Sequence, residues 1–157
     1  MAVSEKTNVC RLLDAAGVSY TLRTYEPDPS KSGTEIASIL GEDPDRVFKT
    51  LVTVGRTGTH YVFVIPVNEE LNLKKAASVA GEKSIEMIRQ KELLPLTGYV
   101  HGGCSPFGMK KLFKTYLHET AMLFDAIFVS AGKVGFQVEV PPDAILAAAK
   151  AEYADLV

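Results

Sequence analysis

The chain has 157 residues, of which 46% are hydrophobic and 23% are charged, and its formal net charge is −2. This length predicts a single domain over residues 1–157, which buries roughly 70% of the unfolded surface and needs no disulfide bonds or metal ions for stability. The composition excludes a membrane protein and a disordered chain, and the mild acidity argues against a dedicated nucleic-acid binder.

The first third of the chain alternates between helical and extended patterns. An apolar face predicts a helix from Ser4, as its N-cap, to Ala16, before a glycine. Residues 19–26 alternate as a half-buried strand, and a second helix is predicted over 32–40. Residues 43–45, Asp-Pro-Asp, predict one helical turn, and the β-branched run 47–54 predicts a buried strand.

The middle of the chain contains the clearest local signal, a glycine-containing loop at 55–59 that joins the preceding strand to another at 60–67 as a hairpin. Asn72 is placed to cap a helix over residues 73–80, which is again followed by glycine. A short strand is predicted at 85–88, and a short helix at 90–94 that ends at Pro95.

The last third begins with a loop of four glycines and a proline over residues 98–108, where backbone amides can approach a ligand closely. Strands are predicted at 113–117, 126–130 and 136–140. A final helix is predicted to begin near Pro142, a residue type that suits the first helical turn.

These elements predict an α+β, or mixed α/β, fold. The glycine fingerprints of doubly wound nucleotide-binding folds are absent from the sequence, so we expect no cofactor. Two cysteines, Cys10 and Cys104, and three scattered histidines lack the spacing of a metal site. The two cysteines are too few for a disulfide framework. Together with the lack of an apolar segment at the N-terminus, this favours a reducing, cytoplasmic location.

Lys49 lies inside an otherwise apolar strand, where alternation places it on the face of Val47 and Leu51, opposite that of Thr50. A lysine among apolar neighbours is destabilising unless it has a partner or a role. Two interpretations stay open on pattern alone: a functional cation, or a surface lysine that extends its ammonium to water.

The segment 102–106, Gly-Gly-Cys-Ser-Pro, is the second candidate site, because its amides could form an oxyanion hole or could simply form a turn. Tyr25, at a strand end, could donate a hydrogen bond to a ligand. Cys104 and His101 could instead form a nucleophilic pair, although their spacing provides no orienting third residue.

Several short segments together resemble the YbaK/EbsC proteins, which are relatives of the editing domain of bacterial prolyl-tRNA synthetases. The resemblance covers nearly the whole chain through the order and spacing of its pieces. These are Thr24-Tyr25-Glu26, Val47-Phe48-Lys49-Thr50-Leu51, Leu73-Lys74-Lys75, Thr97-Gly98-Tyr99, Gly102-Gly103-x-Ser105-Pro106 with Gly108 and Lys110-Lys111, and Val129-Ser130-x-Gly132-Lys133.

The resemblance implies a mixed, partly barrel-like sheet flanked by helices, and the hydrolysis of mischarged tRNA, typically Cys-tRNA(Pro). It implies an essential Lys49 and a catalytic loop bounded by Gly102 and Pro106. Substrate-binding positions are implied at Tyr25, Thr50, Gly103, Ser105, Ser130, Gly132 and Gln137. Gln137 departs from the family pattern, in which an aspartate is common, so it cannot neutralise an ammonium.

The implied partners are the acceptor end of a mischarged tRNA and a synthetase, such as prolyl-tRNA synthetase, that holds the tRNA body. Attack on the ester by water and by the thiol of a cysteine substrate are both compatible with the sequence. Two other functions stay open, a non-catalytic module that binds a nucleotide, a tRNA end or a protein, and a hydrolase that uses Cys104.

Overall fold

The computed structural model describes residues 6–157 of the chain, in which helices and strands alternate. Two short 3-10 helices lie at Pro44–Arg46 and Glu119–Leu123. The helices are α1 (Asn8–Ala15), α2 (Gly33–Ile39), α3 (Leu73–Ala80), α4 (Gln90–Thr97) and α5 (Pro142–Ala148). The strands are β1 (Thr21–Thr24), β2 (Phe48–Gly55), β3 (His60–Pro66), β4 (Ile85–Met87), β5 (Lys114–His118), β6 (Ile127–Ser130), β7 (Phe136–Val140) and β8 (Glu152–Ala154).

The strands form two sheets, which confirms the mixed class expected from the sequence. Three strands pair antiparallel in the order β1-β7-β6, and five pair in the order β4-β2-β3-β5-β8, where β3-β5 and β5-β8 are parallel. A parallel bridge between Val47, directly before β2, and Phe128 of β6 joins the two sheets. The described strands therefore form one linked surface that does not close into a barrel.

The two faces of this surface are covered differently. The main core lies on the inner face, against α1 and α5, and the outer face is covered by α2 and α3. Inner-face side chains include Phe48, Val52, Val62, Val64, Val129 and Val138. Outer-face clusters pair Phe63 and Ile65 with Ala76 and Ala77 of α3, and Val47 and Phe128 with Ala37 of α2.

Local sequence determines where the covering helices begin. The backbone amide of Glu35 donates to Ser32 Oγ at 3.2 Å, and the Ser32 amide donates back to the Glu35 carboxylate at 3.1 Å, which forms a capping box before α2. Asn72 caps α3 through its side-chain oxygen, as predicted. Both helices that cover the outer face, α2 and α3, therefore begin at side-chain caps.

Two sequence predictions about helix ends are corrected. Helix α1 begins after Thr7, whose hydroxyl accepts from the Cys10 amide at 3.3 Å, so the predicted start is too early, and Ser4 lies outside the described residues. Pro95 lies inside α4 instead of ending it. The last turn holds because the Thr97 hydroxyl donates to the Leu93 carbonyl at 2.7 Å and a left-handed glycine follows.

The sequence also missed the last strand, β8, which pairs parallel with β5 after α5. Its three residues are too short to produce a recognisable alternation. Between residues 6 and 157, no helix is both long and apolar enough to cross a bilayer.

Candidate functional site

Lys49 points to the outer face of β2, between the regions covered by α2 and α3. It lies opposite Ile65 of β3, and the adjacent Phe48 belongs to the inner core. The side chain is half-buried, and its ammonium forms no hydrogen bond or ion pair within residues 6–157. Burial lowers the pKa of Lys49, whereas the charges of Glu70 and Glu69 act to raise it. The site thus contains a cation that lacks a direct partner.

The register of the strands places Lys49 in line with Ser130 and Gln137. Val47 and Phe128 form a parallel bridge, so Lys49 and Ser130 each lie two residues further along their strands on the same face. Ser130 is the direct partner of Gln137 in the β6-β7 pair. Three predicted site residues from three strands therefore share one row of the outer face.

Thr50 is not on that row. It faces Val64 of β3 on the inner side of the sheet, and its hydroxyl is buried and has no hydrogen-bond partner among the described residues. Only the backbone of Thr50 can reach the side on which Lys49 lies.

The loop 131–135 extends the row from Ser130 toward Tyr25. Ser130 Oγ accepts from the Gly132 amide at 3.1 Å, which forms a tight turn where Gly132 has a φ of 92°. The Tyr25 amide donates to the Gly135 carbonyl at 2.9 Å. Tyr25 is half-buried, and its hydroxyl donates to no acceptor between residues 6 and 157. It is therefore available to a ligand at this edge.

The glycine-proline loop 102–106 packs against this second loop. A Cβ atom at Gly103 would lie 3.1 Å from the backbone nitrogen of Val134 and 3.3 Å from the carbonyl carbon of Lys133. Gly102, with a φ of 86°, lies next to the Val134 side chain. A Cβ atom here would be tighter than most Cβ contacts, so glycine lets the two backbones approach closely beside Ser130 and Gly132.

The amides of this loop differ in whether they are already hydrogen-bonded. The Gly103 amide donates to the Val100 carbonyl at 3.0 Å, and Pro106 has no amide hydrogen. Those of Gly102, Cys104 and Ser105 donate to no acceptor in the described part of the chain. Ser105 is fully buried, and its hydroxyl is occupied by the Phe107 amide at 3.2 Å. Three amides of the loop thus have no protein acceptor, two of them in the buried residues Cys104 and Ser105.

The Cys104–His101 pair lacks the geometry of a nucleophile and base. No hydrogen bond joins the two side chains, since Cys104 is buried and His101 is exposed. Burial raises the pKa of the Cys104 thiol to about 12, which keeps it protonated at neutral pH.

Tyr99 contacts residues at both loops, 102–106 and 131–135. Its hydroxyl donates to the Phe107 carbonyl, and its ring would lie 3.0 Å from a Cβ atom at Gly132. Burial raises the pKa of Tyr99 to about 12, with a further contribution from Cys104. Tyr99 is therefore a neutral hydrogen-bond donor that fixes the distance between the loops.

Sequence reasoning missed a charge pair beside Gln137 in which the carboxylate is buried. Arg23 lies directly opposite Gln137 in the β1-β7 pair, and its guanidinium donates to Glu42 at 2.9 Å. The Glu42 side chain is 0% exposed. Burial raises the pKa of Glu42, while the Gln137 amide and the Arg23 charge lower it. The available signal was a glutamate directly after the helix-ending Gly41, where exposure is the ordinary expectation.

Two cavities lie near these loops. One of about 240 Å³ is lined by Gly132, Tyr99 and Lys110, among others, but not by Lys49, Ser130 or Gln137. The other, about 510 Å³, is bounded by α1, α5 and residues 106–113, and its wall is mostly aliphatic. Of the predicted site residues, only Pro106 lines it, so it offers little that could orient a polar ester. Among residues 6–157, no three His, Cys, Asp or Glu side chains converge as metal ligands.

Comparison with known proteins links this chain to a family. The sequence model of the family described as the aminoacyl-tRNA editing domain matches residues 28–148. EbsC of Enterococcus faecalis, named as a candidate Cys-tRNA(Pro)/Cys-tRNA(Cys) deacylase, is 46% identical over 97% of this chain and 93% of its own length. A proline–tRNA ligase of Pelobacter propionicus is 35% identical over 57% of this chain but only 15% of the ligase.

Solved structures support the same architecture. The hypothetical protein APE2540 superposes with a TM-score of 0.85 at 25% identity, covering 96% of this chain and 99% of that one. A structure described as a candidate trans-editing enzyme for prolyl-tRNA synthetase gives a TM-score of 0.80 at 24% identity, covering 98% of each chain. The second similarity shows the fold alone.

Proposed function

The chain belongs to the aminoacyl-tRNA editing domain family, and from that premise we propose that it is a trans-editing deacylase acting on mischarged tRNA, with Cys-tRNA(Pro) favoured. The observation that carries the proposal is the unpaired cation of Lys49 in one row with Ser130 and Gln137. The name of the similar EbsC protein supports the choice of substrate, and the matches to proline–tRNA ligases support the choice of tRNA.

Lys49 is proposed to hold the terminal adenosine of the tRNA through its phosphate or ribose. A half-buried ammonium with no fixed partner can bind an incoming anion without first breaking an ion pair. In this proposal it positions the substrate and stabilises charge, because the reaction forms no covalent bond to its nitrogen.

The free amides of Gly102, Cys104 and Ser105 are proposed to bind the oxyanion that forms when the ester carbonyl becomes tetrahedral. Fixed amides in a partly buried loop stabilise that charge more than water does, because they need no reorganisation. The contact between Gly103 and Val134 supports this role by holding the loop next to the row. Tyr25 and Ser130 would bind the substrate around the reacting centre.

The reaction itself needs little from the protein, because an aminoacyl ester is already activated. Water attacks the carbonyl carbon, the bond to the ribose oxygen breaks, and that oxygen takes a proton from the attacking water, giving free tRNA and the amino acid. For a cysteine substrate, its own thiol could replace water, giving a cyclic thioester and free tRNA. The raised pKa of Cys104 supports a route that uses no thiolate of the protein.

The tRNA body is proposed to be held elsewhere, by prolyl-tRNA synthetase or another component of translation. The net charge of −2 offers little sequence-independent attraction for a polyanion. Robust binding of tRNA by the isolated protein at physiological salt would count against this part of the proposal.

A deacylation assay across a panel of mischarged tRNAs tests the function. Wild-type protein is expected to release the amino acid from Cys-tRNA(Pro) faster than from Ala-tRNA(Pro) or correctly charged Pro-tRNA(Pro). If wild type hydrolysed no member of the panel, the enzyme proposal would fail, and a module that only binds tRNA ends, nucleotides or proteins would replace it.

A further inference from the structure

The smaller of the two cavities has a polar wall that contains a cation. It encloses about 240 Å³, and among the described residues that line it only Lys110 carries a charge, while none is an aspartate or a glutamate. Residues 7–9 at the start of α1 and residues 97–99 supply most of the remaining wall. Drug-sized ligands fill pockets of roughly 300–1,000 Å³, so this cavity suits a smaller group of negative charge.

The stem of Lys110 is held in place, whereas its ammonium has no partner. A Cβ atom at Gly98 would lie 3.4 Å from Lys110 Cγ and 3.5 Å from Cε, so the stem lies across this glycine. The Lys110 amide donates to the Thr97 carbonyl at 3.1 Å, which fixes its backbone. No hydrogen bond or ion pair joins the ammonium to another described residue. Lys110 can therefore bind an anion without first leaving an internal partner.

A neutral hydrogen-bond donor lies at the same cavity. Asn8 lines its wall, and the Asn8 side-chain nitrogen lies 3.7 Å from a Cβ atom built at Gly108, on the opposite segment of the wall. This nitrogen donates to no acceptor in the described part of the chain. A lysine ammonium and an asparagine amide are donors that proteins use on phosphate oxygens. The donor set of the cavity thus matches a phosphate group.

The other lysines of the family segments do not share this environment. Lys75 forms an ion pair with Asp155 at 2.8 Å, and Lys74 lines neither cavity. Lys111 is exposed and lines the larger, mostly aliphatic cavity. Of these four lysines, Lys110 alone combines an unpaired ammonium with a polar cavity.

The cavity adjoins the proposed active site through the two loops of that site. Gly132 lines the cavity, and its amide donates to Ser130 Oγ at 3.1 Å. Tyr99 lines it as well, and its hydroxyl donates to the carbonyl of Phe107, which follows the loop 102–106. A substrate whose ester binds at Ser130 and this loop therefore has the cavity next to it.

We infer that this cavity binds a backbone phosphodiester of the single-stranded tRNA end, upstream of the terminal adenosine, through Lys110 and Asn8. The inference rests on the proposed deacylase function and deepens it by assigning a substrate contact separate from that of Lys49. A phosphate contact carries no sequence information, so it serves every mischarged tRNA alike. One such contact leaves a chain of net charge −2 a weak binder of the tRNA body.

The test compares two substrates with the same ester, Cys-tRNA(Pro) and the nucleoside 3′-O-cysteinyl-adenosine, which has no phosphate. Deacylation of both is measured for wild type, Lys110→Met and Lys111→Met. Lys110→Met should raise KM for Cys-tRNA(Pro) about tenfold and retain kcat, which is about the value of one hydrogen bond to a charged group. Its turnover of the nucleoside should stay within about twofold of wild type. Lys111→Met, the same change on the adjacent exposed lysine, should leave both substrates unaffected.

The salt dependence gives a second readout that a merely structural role would not change. The slope of log(kcat/KM) against log[salt] for Cys-tRNA(Pro) should become shallower by about 0.7 in Lys110→Met, the value of one phosphate contact on a single strand. Lys110→Arg should restore both the slope and KM, because arginine also binds phosphate.

Three results would overturn the inference and leave the deacylase function intact. These are an unchanged KM for Cys-tRNA(Pro) in Lys110→Met, an equal loss on the nucleoside, or an equal effect of Lys111→Met. If wild type hydrolyses the nucleoside too slowly for comparison, a loss confined to kcat with an unchanged salt slope has the same meaning. A wild type inactive on both substrates would overturn the proposed function itself.

Discussion

Gly103 and Val134 bring two separate loops into backbone contact, with 3.1 Å between a Cβ built at position 103 and the Val134 nitrogen. One loop carries the free amides, and the other follows Ser130 in the row that includes Lys49. The position of the proposed oxyanion hole relative to the cation therefore depends on a close approach that a larger residue would disturb.

Replacing Gly103 with alanine should displace the loop by a few tenths of an ångström and reduce deacylation. Misplacing donors at a reacting centre can cost up to about a hundredfold, so we expect a loss of about ten- to a hundredfold in kcat. The free energy of unfolding should fall by about 1–3 kcal/mol, which is the usual cost of overpacking a site. Single-turnover deacylation and denaturant unfolding measure the two effects.

Gly58→Ala is the matched control for that substitution. Gly58 has a φ of 88° in the β2-β3 hairpin and nothing within 4 Å of an added Cβ. Its replacement should cost about 1–2 kcal/mol of stability through backbone strain and leave kcat unchanged. If both variants lost activity in proportion to stability, the loop contact would have no specific role.

The activity should decline at alkaline pH, beginning below the usual pKa of a lysine, 10.5. Burial lowers the pKa of Lys49 and the charges of Glu70 and Glu69 oppose it, so the proposed cation is lost as pH rises through the depressed pKa. The same shift lowers the free energy of unfolding at pH values where Lys49 is charged. This loss of stability is relieved as pH rises above the depressed pKa. The measurement is kcat/KM against pH, corrected for spontaneous ester hydrolysis.

The double substitution Glu69→Gln, Glu70→Gln tests whether the alkaline limb of the pH profile, the decline of kcat/KM at high pH, reports the titration of Lys49. Removing two negative charges near Lys49 should lower its pKa further, because their contribution raises it. The limb should then move to lower pH, while the rate on the plateau is kept. A limb that does not move would assign the titration to another group.

Cys104→Ser should retain wild-type deacylation within about twofold, because a thiol with a pKa of about 12 supplies almost no thiolate at neutral pH. Iodoacetamide should also modify Cys104 slowly, since the side chain is buried. Loss of activity in a variant that keeps its thermal unfolding midpoint would revive the cysteine hydrolase.

The sequence predicted those elements of the fold that local pattern determines. The hairpin loop at 55–59, the cap at Asn72 and the second helix, predicted over 32–40, are confirmed, because each depends on residues a few positions apart. Pro95 was misread, since hydrogen bonds on either side of it sustain the last turn of α4. Strand β8 escaped detection because its pairing with β5 is long-range.

The site could be predicted only in part for the same physical reason. Alternation correctly separates Lys49 from Thr50 within β2, but it cannot show that Lys49 lies in line with Ser130 on another sheet. Glu42 gave no signal, because burial of a glutamate depends on Arg23, nineteen positions away along the chain. The roles of the predicted residues stay predictions.

The most direct test of the account is deacylation of Cys-tRNA(Pro) by Lys49→Met, with Lys91→Ala as the control. Methionine keeps the apolar stem and removes the charge, and Lys91 is an exposed lysine on α4. We predict a loss of about 10²–10³ in kcat/KM for Lys49→Met, with a thermal unfolding midpoint at or above that of wild type, and no change for Lys91→Ala. Activity of Lys49→Met within about twofold of wild type would contradict the account.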